Sequence, residues 1–198
     1  MNGIEVRPMT VDDVIPVAAI HLNAFPGFFL SFLGRHFLRE LYRAIVSDDE
    51  GIAFVATSSG QVIGFVAGSA SSSGFYRRAA KRRWWRFALA SSGAVLRRPL
   101  VVRRLLRALY APPKTSSEGA LLMSLAVDPR LQGTGAGKAL VAAFVDAAAR
   151  RSSKAIVLTT DRIDNDAVNA FYRGLGFVVA RDYVTPEGRP MNEYIRYI

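Results

Sequence analysis

The stretch that decides the fold is Val127–Lys138, which reads VDPRLQGTGAGK. Gly133, Gly135 and Gly137 alternate within it, after an apolar run and before an alanine-rich one. Glycine lets the main chain approach a ligand closely and adopt dihedral angles that other residues avoid. A helix that begins here also leaves its first N–H groups unpaired and carries a partial positive charge at that end. The stretch therefore predicts a site that binds phosphate through the main chain.

Three phosphate-binding motifs can be compared with this stretch. A P-loop requires a glycine five residues before Gly137 and a Ser or Thr after the lysine, but Gln132 and Ala139 occupy these positions. The dinucleotide fingerprint G-x-G-x-x-G has a different spacing and lies near the start of a repeated βαβ array. The pattern Q/R-x-x-G-x-G/A matches residues 132–137, QGTGAG, at every defined position.

With these residues the sequence resembles the GNAT family of acyl-CoA-dependent N-acetyltransferases. The glycine motif follows an apolar strand and V-D-P, and it precedes a helix, a strand and the run Asn165–Phe177, NDAVNAFYRGLGF. This run matches N-x-x-x-x-x-F-Y-x-x-x-G-F at the distance that is typical of the family. The resemblance is strong over Leu121–Phe177 and extends to the rest of the chain by element order, apart from one basic segment.

Hydrophobic periodicity predicts an α+β fold with three layers. Strands are expected at 4–8, 52–57, 62–67, 121–127, 155–160, 177–184 and 191–197, and helices at about 10–23, 31–46, 135–151 and 165–175. The resemblance implies that these strands form a mixed, mostly antiparallel sheet of six to seven strands with flanking helices. We expect a single domain over residues 1–198, with a basic helical insertion at about 71–119.

The resemblance implies transfer of an acetyl group from acetyl-CoA to a primary amine by direct attack. The residues expected to bind the coenzyme are Leu125, Ala126, Val127, Gln132, Gly133, Thr134, Gly135, Ala136, Gly137, Lys138, Asn165 and Tyr172. The loop amides would hold the pyrophosphate, and the strand main chain would bind the pantetheine arm and polarise the thioester carbonyl. Tyr172 matches the general acid of the family, which protonates the leaving thiolate.

Other roles remain open for three of these residues. Asn165 stands where a helix N-cap is expected, and this role and the coenzyme contact are equally open and compatible. Lys138 can equally be a solvated residue on the helix surface. Tyr172 can be a packing residue beside Phe171, but the family match favours its role as the acid.

The attacking amine must be neutral, and the sequence does not single out a base. Deprotonating a lysine-like amine at pH 7 costs about 4–5 kcal/mol, whereas an α-amino group costs about 1 kcal/mol. The candidate bases are Glu118, Glu193, His21 and His36. The aromatic residues Phe25, Phe28, Phe29 and Phe32 are expected to line the mouth of the acceptor site or to fill the core beneath it.

The net charge of +10 is concentrated in one segment. Residues 75–114 contain twelve of the 26 basic residues and no acidic residue, so the rest of the chain is nearly neutral. Three structures fit this segment: a solvated helical hairpin, a lid over an anionic acceptor, and a basic amphipathic helix on an anionic membrane. The lid would use Trp84, Trp85, Phe87 and Leu89 beside Arg82, Arg83 and Arg86, and the membrane helix would use residues 100–109. Nucleic acid is the less favoured partner.

Composition excludes several kinds of chemistry. The chain has no cysteine, so it has no disulfide, thiolate metal site or cysteine nucleophile. Its two histidines lack a carboxylate pattern around them, so we expect no metal. We see no membrane-spanning run and no signal peptide, and expect a cytoplasmic protein, with peripheral membrane attachment and homodimer formation left open.

The sequence therefore supports one main hypothesis and two alternatives. The main one is an N-acetyltransferase that acts on a primary amine of a small anionic acceptor, for example a nucleotide- or lipid-linked amino sugar. The first alternative is a protein or peptide N-acetyltransferase. The second is a non-catalytic GNAT-like module whose basic insertion binds membrane or nucleic acid.

Overall fold

The computed structural model describes residues 3–71, 78, 85–87, 89–90 and 119–198. Within these residues, seven strands form one sheet in the order β1-β2-β3-β4-β5-β7-β6. The strands are β1 (Glu5–Pro8), β2 (Gly51–Ser58), β3 (Gln61–Ser69), β4 (Ala120–Val127), β5 (Ala155–Asp161), β6 (Val178–Val184) and β7 (Pro190–Tyr197). The described pairs are antiparallel except β4–β5, which is parallel. The mixed, mostly antiparallel sheet is thus confirmed.

Helices cover both faces of the sheet, which gives the three predicted layers. They are α1 (Val14–Ala24), α2 (Phe29–Val46), α3 (Ala136–Arg150) and α4 (Asp166–Gly174), with a 3-10 turn at Pro129–Leu131. On one face, Phe144 of α3 and Tyr172 of α4 share a buried cluster with Val66 of β3. On the other face, Tyr42 of α2 shares a cluster with Phe65 of β3. Val66 and Phe65 are neighbours in sequence, and successive side chains of a strand point to opposite faces of the sheet, so β3 contributes to both cores.

The first helix begins later than its sequence predicts. Thr10 and Asp13 form part of a capping box, because the main-chain N–H of Thr10 donates to Asp13 Oδ2 at 2.8 Å. The α-helix nevertheless starts at Val14. Two guanidinium nitrogens of Arg7 donate to the Asp13 carboxylate at 2.7 Å each, and together with the Thr10 hydrogen bonds they lower its pKa to about 2. Asp13 therefore ties the end of β1 to the start of α1.

The second helix begins at Phe29, two residues before its predicted start, and it is broken at Gly34. That residue has φ 89° and ψ 176°, a backbone conformation that residues other than glycine adopt only at a cost in energy. After the break, Leu38, Tyr42 and Ile45 are buried at the spacing expected of one helix face. The break changes the direction of the chain just before this face meets the sheet.

The feature of the sheet that matters for function is the separation of β4 from β5. These strands pair only at Ala120–Ile156 and Leu121–Val157. Beyond those pairs β4 continues beside β3 as far as Val127, and β5 continues beside β7 as far as Asp161. The facing edges of the two strands are therefore not joined to each other, and their main-chain groups border a gap.

A few described residues show where the basic segment meets the rest of the molecule. Arg78 forms an ion pair with Asp48 at 2.9 Å, and the ring of Phe87 lies 5.4 Å from that of Phe37 on α2. The predicted membrane helix at residues 100–109, Trp84 of the predicted lid, and Glu118 lie outside the described residues. Among the described residues, no helix combines the length and the apolar character needed to cross a bilayer.

Candidate functional site

The predicted phosphate loop leads from β4 into the N-terminus of α3. Gly133 has φ +80° and Gly135, the N-cap residue of α3, has φ +88°. A Cβ built on either glycine would meet no atom within 4 Å. The main-chain conformation, rather than crowding by the protein, therefore requires glycine at both positions. The space above the loop is open to a ligand.

This loop forms one side of a cavity of about 490 Å³, which we call the loop cavity. Its walls include every predicted coenzyme-binding residue except Asn165: Leu125, Ala126, Val127, Gln132, Gly133, Thr134, Gly135, Ala136, Gly137, Lys138 and Tyr172. The first N–H groups of α3 lie at this wall, and they have no carbonyl acceptor within the helix. The cavity thus combines unpaired amides with the free edge of β4.

A second cavity, of about 360 Å³, lies between the separated ends of β4 and β5, and we call it the deep cavity. Its walls come from α1, the α1–α2 loop, the start of α2, β4, β5, α4 and the β6–β7 hairpin. Phe25, Leu125, Val168 and Tyr172 line both cavities. The two cavities are therefore adjacent, and Tyr172 stands at their junction.

Asn165 lies on the deep cavity and not on the loop cavity. It occupies the N-cap position of α4, but its side chain makes no capping hydrogen bond. Its amide nitrogen instead donates to Thr160 Oγ1 at 2.6 Å and to the main-chain oxygen of Asp161 at 3.1 Å. Asn165 thus holds the end of β5 against α4, a role that neither sequence-based interpretation included.

Tyr172 is 7% exposed, and its ring is held by other aromatic rings. The centroids of Phe171, Phe177 and Tyr194 lie 5.3, 5.6 and 6.1 Å from its own. Burial raises the pKa of the phenol well above its usual value, so Tyr172 remains an O–H donor at neutral pH. The packing role and a proton-donor role are therefore compatible in one side chain.

His21 of α1 lies on the deep cavity and is 3% exposed. Its Nδ1 is 2.6 Å from the hydroxyl oxygen of Tyr42 on α2. Burial lowers the pKa of the imidazole to about 4, so the ring is neutral at pH 7. The Tyr42 hydroxyl is also hydrogen-bonded to Ser124 of β4, which lines the same cavity.

The other candidate bases do not reach either cavity in the described part of the chain. His36, which the sequence places among packing residues, is exposed. Glu193 is 1% exposed and forms an ion pair with Arg181 at 3.1 Å. Phe25, Phe28 and Phe29 line the deep cavity, whereas Phe32 packs in a separate cluster with Leu33 and Phe37.

Two charged residues at the deep cavity are absent from the sequence-based prediction. Arg189, in the β6–β7 hairpin, donates to both oxygens of Asp161 at 2.7 and 2.6 Å. Its guanidinium carbon also lies 5.0 Å from the ring centroid of Phe28. Asp161 and Arg189 are 28 residues apart, and no local pattern marks either of them. Among the described residues, no group of three His, Asp or Glu side chains is arranged to hold a metal.

Residues 18–177 match the sequence model of the Acetyltransferase (GNAT) family. Because this match spans well over half of the 198 residues, the chain belongs to the GNAT family of acetyltransferases. The predicted membership and the predicted enzyme class, an acyl-CoA N-acyltransferase, are thus confirmed. No curated protein matches the chain by sequence.

Solved acetyltransferases share the fold at low sequence identity. A histone acetyltransferase HPA2 and related acetyltransferase from Corynebacterium glutamicum is 20% identical, with a TM-score of 0.63 over 100% of this chain and 97% of that chain. The ribosomal-protein-S18-alanine N-acetyltransferase of Escherichia coli is 18% identical, with a TM-score of 0.58 over 99% and 94%. The Drosophila melanogaster polyamine N acetyltransferase is 14% identical, with a TM-score of 0.61 over 99% and 100%. These likenesses show a common fold for proteins with different acceptors.

The lowered pKa of His21 predicts a specific loss of stability in mild acid. The pKa of a histidine in the unfolded chain is near 6.5, whereas that of folded His21 is about 4. Between these pH values His21 is therefore protonated in the unfolded chain and neutral in the folded protein. The free energy of unfolding should therefore fall by about 2 kcal/mol between pH 7 and pH 5 on account of this residue. Urea unfolding of the parent and of His21→Gln at both pH values measures the difference.

The exposed His36 supplies the control for this measurement. His21→Gln should flatten the pH dependence of the parent, and His36→Gln shows what replacing a histidine at an exposed position does. Equal slopes for the parent and His21→Gln would contradict the prediction. An NMR titration of the two histidine C2–H signals gives the same answer without altering His21.

Proposed function

We propose that this chain transfers an acetyl group from acetyl-CoA to the primary amine of a small anionic acceptor by direct attack. The observation that carries the proposal is the meeting of the loop cavity and the deep cavity at Tyr172. In this proposal the loop cavity holds the coenzyme and the deep cavity holds the acceptor. The reacting atoms then meet beside the one phenol that lines both.

The loop cavity has the features that a diphosphate joined to an extended arm requires. The amides at residues 132–138 and the N-terminus of α3 offer unpaired donors to the pyrophosphate. The pantetheine arm can run beside Leu125–Val127, because β4 has no strand partner on that edge beyond Leu121. Lys138, which is exposed on the cavity wall, adds a positive charge.

The chemical step needs a proton donor for sulfur and no covalent nucleophile. The amine nitrogen forms a bond with the thioester carbonyl carbon, and the bond from that carbon to sulfur breaks. The sulfur gains a proton from Tyr172, and the nitrogen loses one, which returns to the phenolate directly or through water. Protons therefore balance. The raised pKa of Tyr172 keeps its proton available at the start of the step.

The deep cavity favours an amine that is easily deprotonated. Its described walls carry one carboxylate and one guanidinium, Asp161 and Arg189, and these are bound to each other. His21 is neutral there because burial lowers its pKa. Deprotonating a lysine-like ammonium at pH 7 would cost about 4–5 kcal/mol, and the described walls offer no free carboxylate to take up the proton. A sugar amine or an α-amino group needs much less.

The basic segment supports an anionic acceptor. Phe87 and Ala90 of this segment pack on a cluster that contains Phe29 and Leu30, and both of these line the deep cavity. Phe87 and Ala90 belong to the stretch 75–114, which contains twelve basic residues and no acidic one. Charge of one sign near a cleft attracts oppositely charged ligands. A nucleotide- or lipid-linked amino sugar has both the anion and the amine of modest pKa.

The proposal extends to the organisation of the chain. We propose that residues 1–198 form one domain with an insertion at about 71–119. We also propose that the protein is cytoplasmic and that its basic insertion attaches to an anionic membrane surface. A peptide N-terminus is the second acceptor class, because its α-amino group meets the same requirement for a low pKa. A comparison of amine substrates distinguishes a peptide acceptor from an anionic amino sugar.

Changing Gly135 to Ala should weaken acetyl-CoA binding. An alanine at φ +88° costs about 1–2 kcal/mol and moves the amides that form the loop. We expect the Kd measured by calorimetry to rise about tenfold or more. Gly60→Ala is the matched control, since Gly60 has φ +76° and open space but lies in the β2–β3 turn. Unchanged binding by Gly135→Ala would show that these amides do not hold the coenzyme.

Changing Tyr172 to Phe should slow turnover without loss of coenzyme. Because the ring stays packed, the Kd of acetyl-CoA should hold while kcat falls about 100-fold. Tyr194→Phe is the control, because Tyr194 is fully buried, bonds Asn169 Oδ1 at 3.0 Å and is not on either cavity wall. A kcat equal to that of the parent would show that Tyr172 is not the acid.

Release of free thiol from acetyl-CoA, measured with a panel of amines, tests the acceptor. We expect the highest kcat/KM for an amino-sugar phosphate or a nucleotide-linked amino sugar, with a KM that rises with salt. Neutral amino sugars, spermidine and a peptide with a free N-terminal alanine complete the panel. A preference for the peptide would replace the proposed acceptor class. Coenzyme binding without thiol release from any amine would favour a non-catalytic module.

A further inference from the structure

His21 has one nitrogen that the rest of the described structure leaves unused. Its Nδ1 contacts Tyr42, but its Nε2 is buried and makes no hydrogen bond with any described residue. A buried polar atom without a partner costs about 1–3 kcal/mol, and most such atoms in folded proteins have one. The residue lies on the wall of the deep cavity. A ligand bound in that cavity would lie beside the ring and could supply the missing hydrogen bond.

The ring of His21 is held in place by aromatic contacts. The ring centroid of Phe25 lies 4.9 Å away, that of Tyr42 lies 5.8 Å away with its edge toward the ring, and that of Phe65 lies 6.4 Å away in a stacked arrangement. These contacts come from the end of α1, from α2 and from β3. An imidazole fixed from three sides can orient a ligand, since it does not have to be ordered on binding.

A hydrogen bond couples the imidazole of His21 to Tyr42, since Nδ1 lies 2.6 Å from the Tyr42 hydroxyl oxygen. This contact fits both neutral tautomers, because either Tyr42 donates to Nδ1 or Nδ1–H donates to Tyr42. In the tautomer with the proton on Nδ1, the imidazole lone pair is at Nε2. Since burial holds the pKa of the ring at about 4, this lone pair is present throughout the neutral range.

We propose that His21 Nε2 accepts a hydrogen bond from the reacting amine of the acceptor and so directs the amine lone pair toward the thioester. The inference rests on the proposed function, which places the acceptor in the deep cavity. A neutral primary amine has two N–H groups and one lone pair. When one N–H is donated to His21, the lone pair stays free for attack, and the amide product retains an N–H for the same bond. Tyr42 and Ser124 then act as positioning residues for His21.

Two variants of the full chain separate this role from simple packing. His21→Leu removes the acceptor atom, and His21→Gln keeps a neutral oxygen that can take its place. With glucosamine phosphate as the amine probe, kcat/KM should fall about tenfold or more in His21→Leu and recover in part in His21→Gln. The Kd of acetyl-CoA should change in neither. His36→Leu, at the exposed histidine, should behave as the parent does.

The outcomes distinguish this proposal from the proposed function. A parent that turns over the amine while His21→Leu matches it would overturn the His21 role alone. Equal losses in His21→Leu and His21→Gln would also overturn it, because they would indicate packing. Coenzyme binding without turnover by the parent would overturn the proposed function, and the His21 role with it.

A measurement on the parent keeps the proposal falsifiable if neither His21 variant folds. Only two histidines are present in the sequence, so nitrogen-15 NMR of the imidazoles gives two sets of signals, and His36→Gln assigns them. We expect His21 to be protonated at Nδ1 and its Nε2 signal to shift when glucosamine phosphate is added with coenzyme A. A proton on Nε2, or no shift at saturating amine, would overturn the proposal.

Discussion

The site depends on one constraint, which is that β4 and β5 pair over only two residue pairs and then separate. Each strand keeps its other neighbour, β3 or β7, so the sheet remains continuous while a gap opens inside it. The gap leaves main-chain groups of β4 without a strand partner, and unpaired main-chain groups need a ligand or water. A binding site at this position therefore follows from the sheet itself, before any side chain is considered.

The site works with neutral groups held by burial. Tyr172 keeps its proton and His21 lacks one for the same physical reason, because an apolar environment disfavours the charged form of either side chain. The two charges on the deep cavity, Asp161 and Arg189, compensate each other. The excess positive charge of the chain lies in the sequence between β3 and β4. Under the proposed function, attraction of an anionic ligand is thus assigned to other residues than the chemistry on its amine.

The sequence predicts which residues line the loop cavity far better than which residues line the deep cavity, and the reason is distance along the chain. Glycine conformation and strand alternation are local properties, so short patterns are enough to group residues 125–127 and 132–138 with Tyr172, and these residues do line one cavity. The deep cavity is built from separate pieces, such as His21 with Tyr42 and Asp161 with Arg189. Tertiary packing alone brings these together. Gly34 interrupts a helix whose periodicity continues past it, so the break also escapes a sequence pattern.

The same division explains how one fold can serve different acceptors. Most of the loop cavity wall comes from residues 125–127 and 131–138, and the remainder comes from the end of α1 and from α4. Coenzyme bound there through the main chain, as proposed, would be unaffected by changes of side chain elsewhere. The deep cavity takes its walls from α1, the α1–α2 loop and the β6–β7 hairpin, and the basic segment packs on residues beside it. Under the proposed function, substitutions in these parts would alter the choice of acceptor without altering the coenzyme. In this chain the strongest departure from a neutral composition is the segment between β3 and β4, whose Phe87 and Ala90 pack beside Phe29 and Leu30 of the deep cavity. Under the proposed function, the acceptor is therefore the property in which this chain should differ most from its structural neighbours.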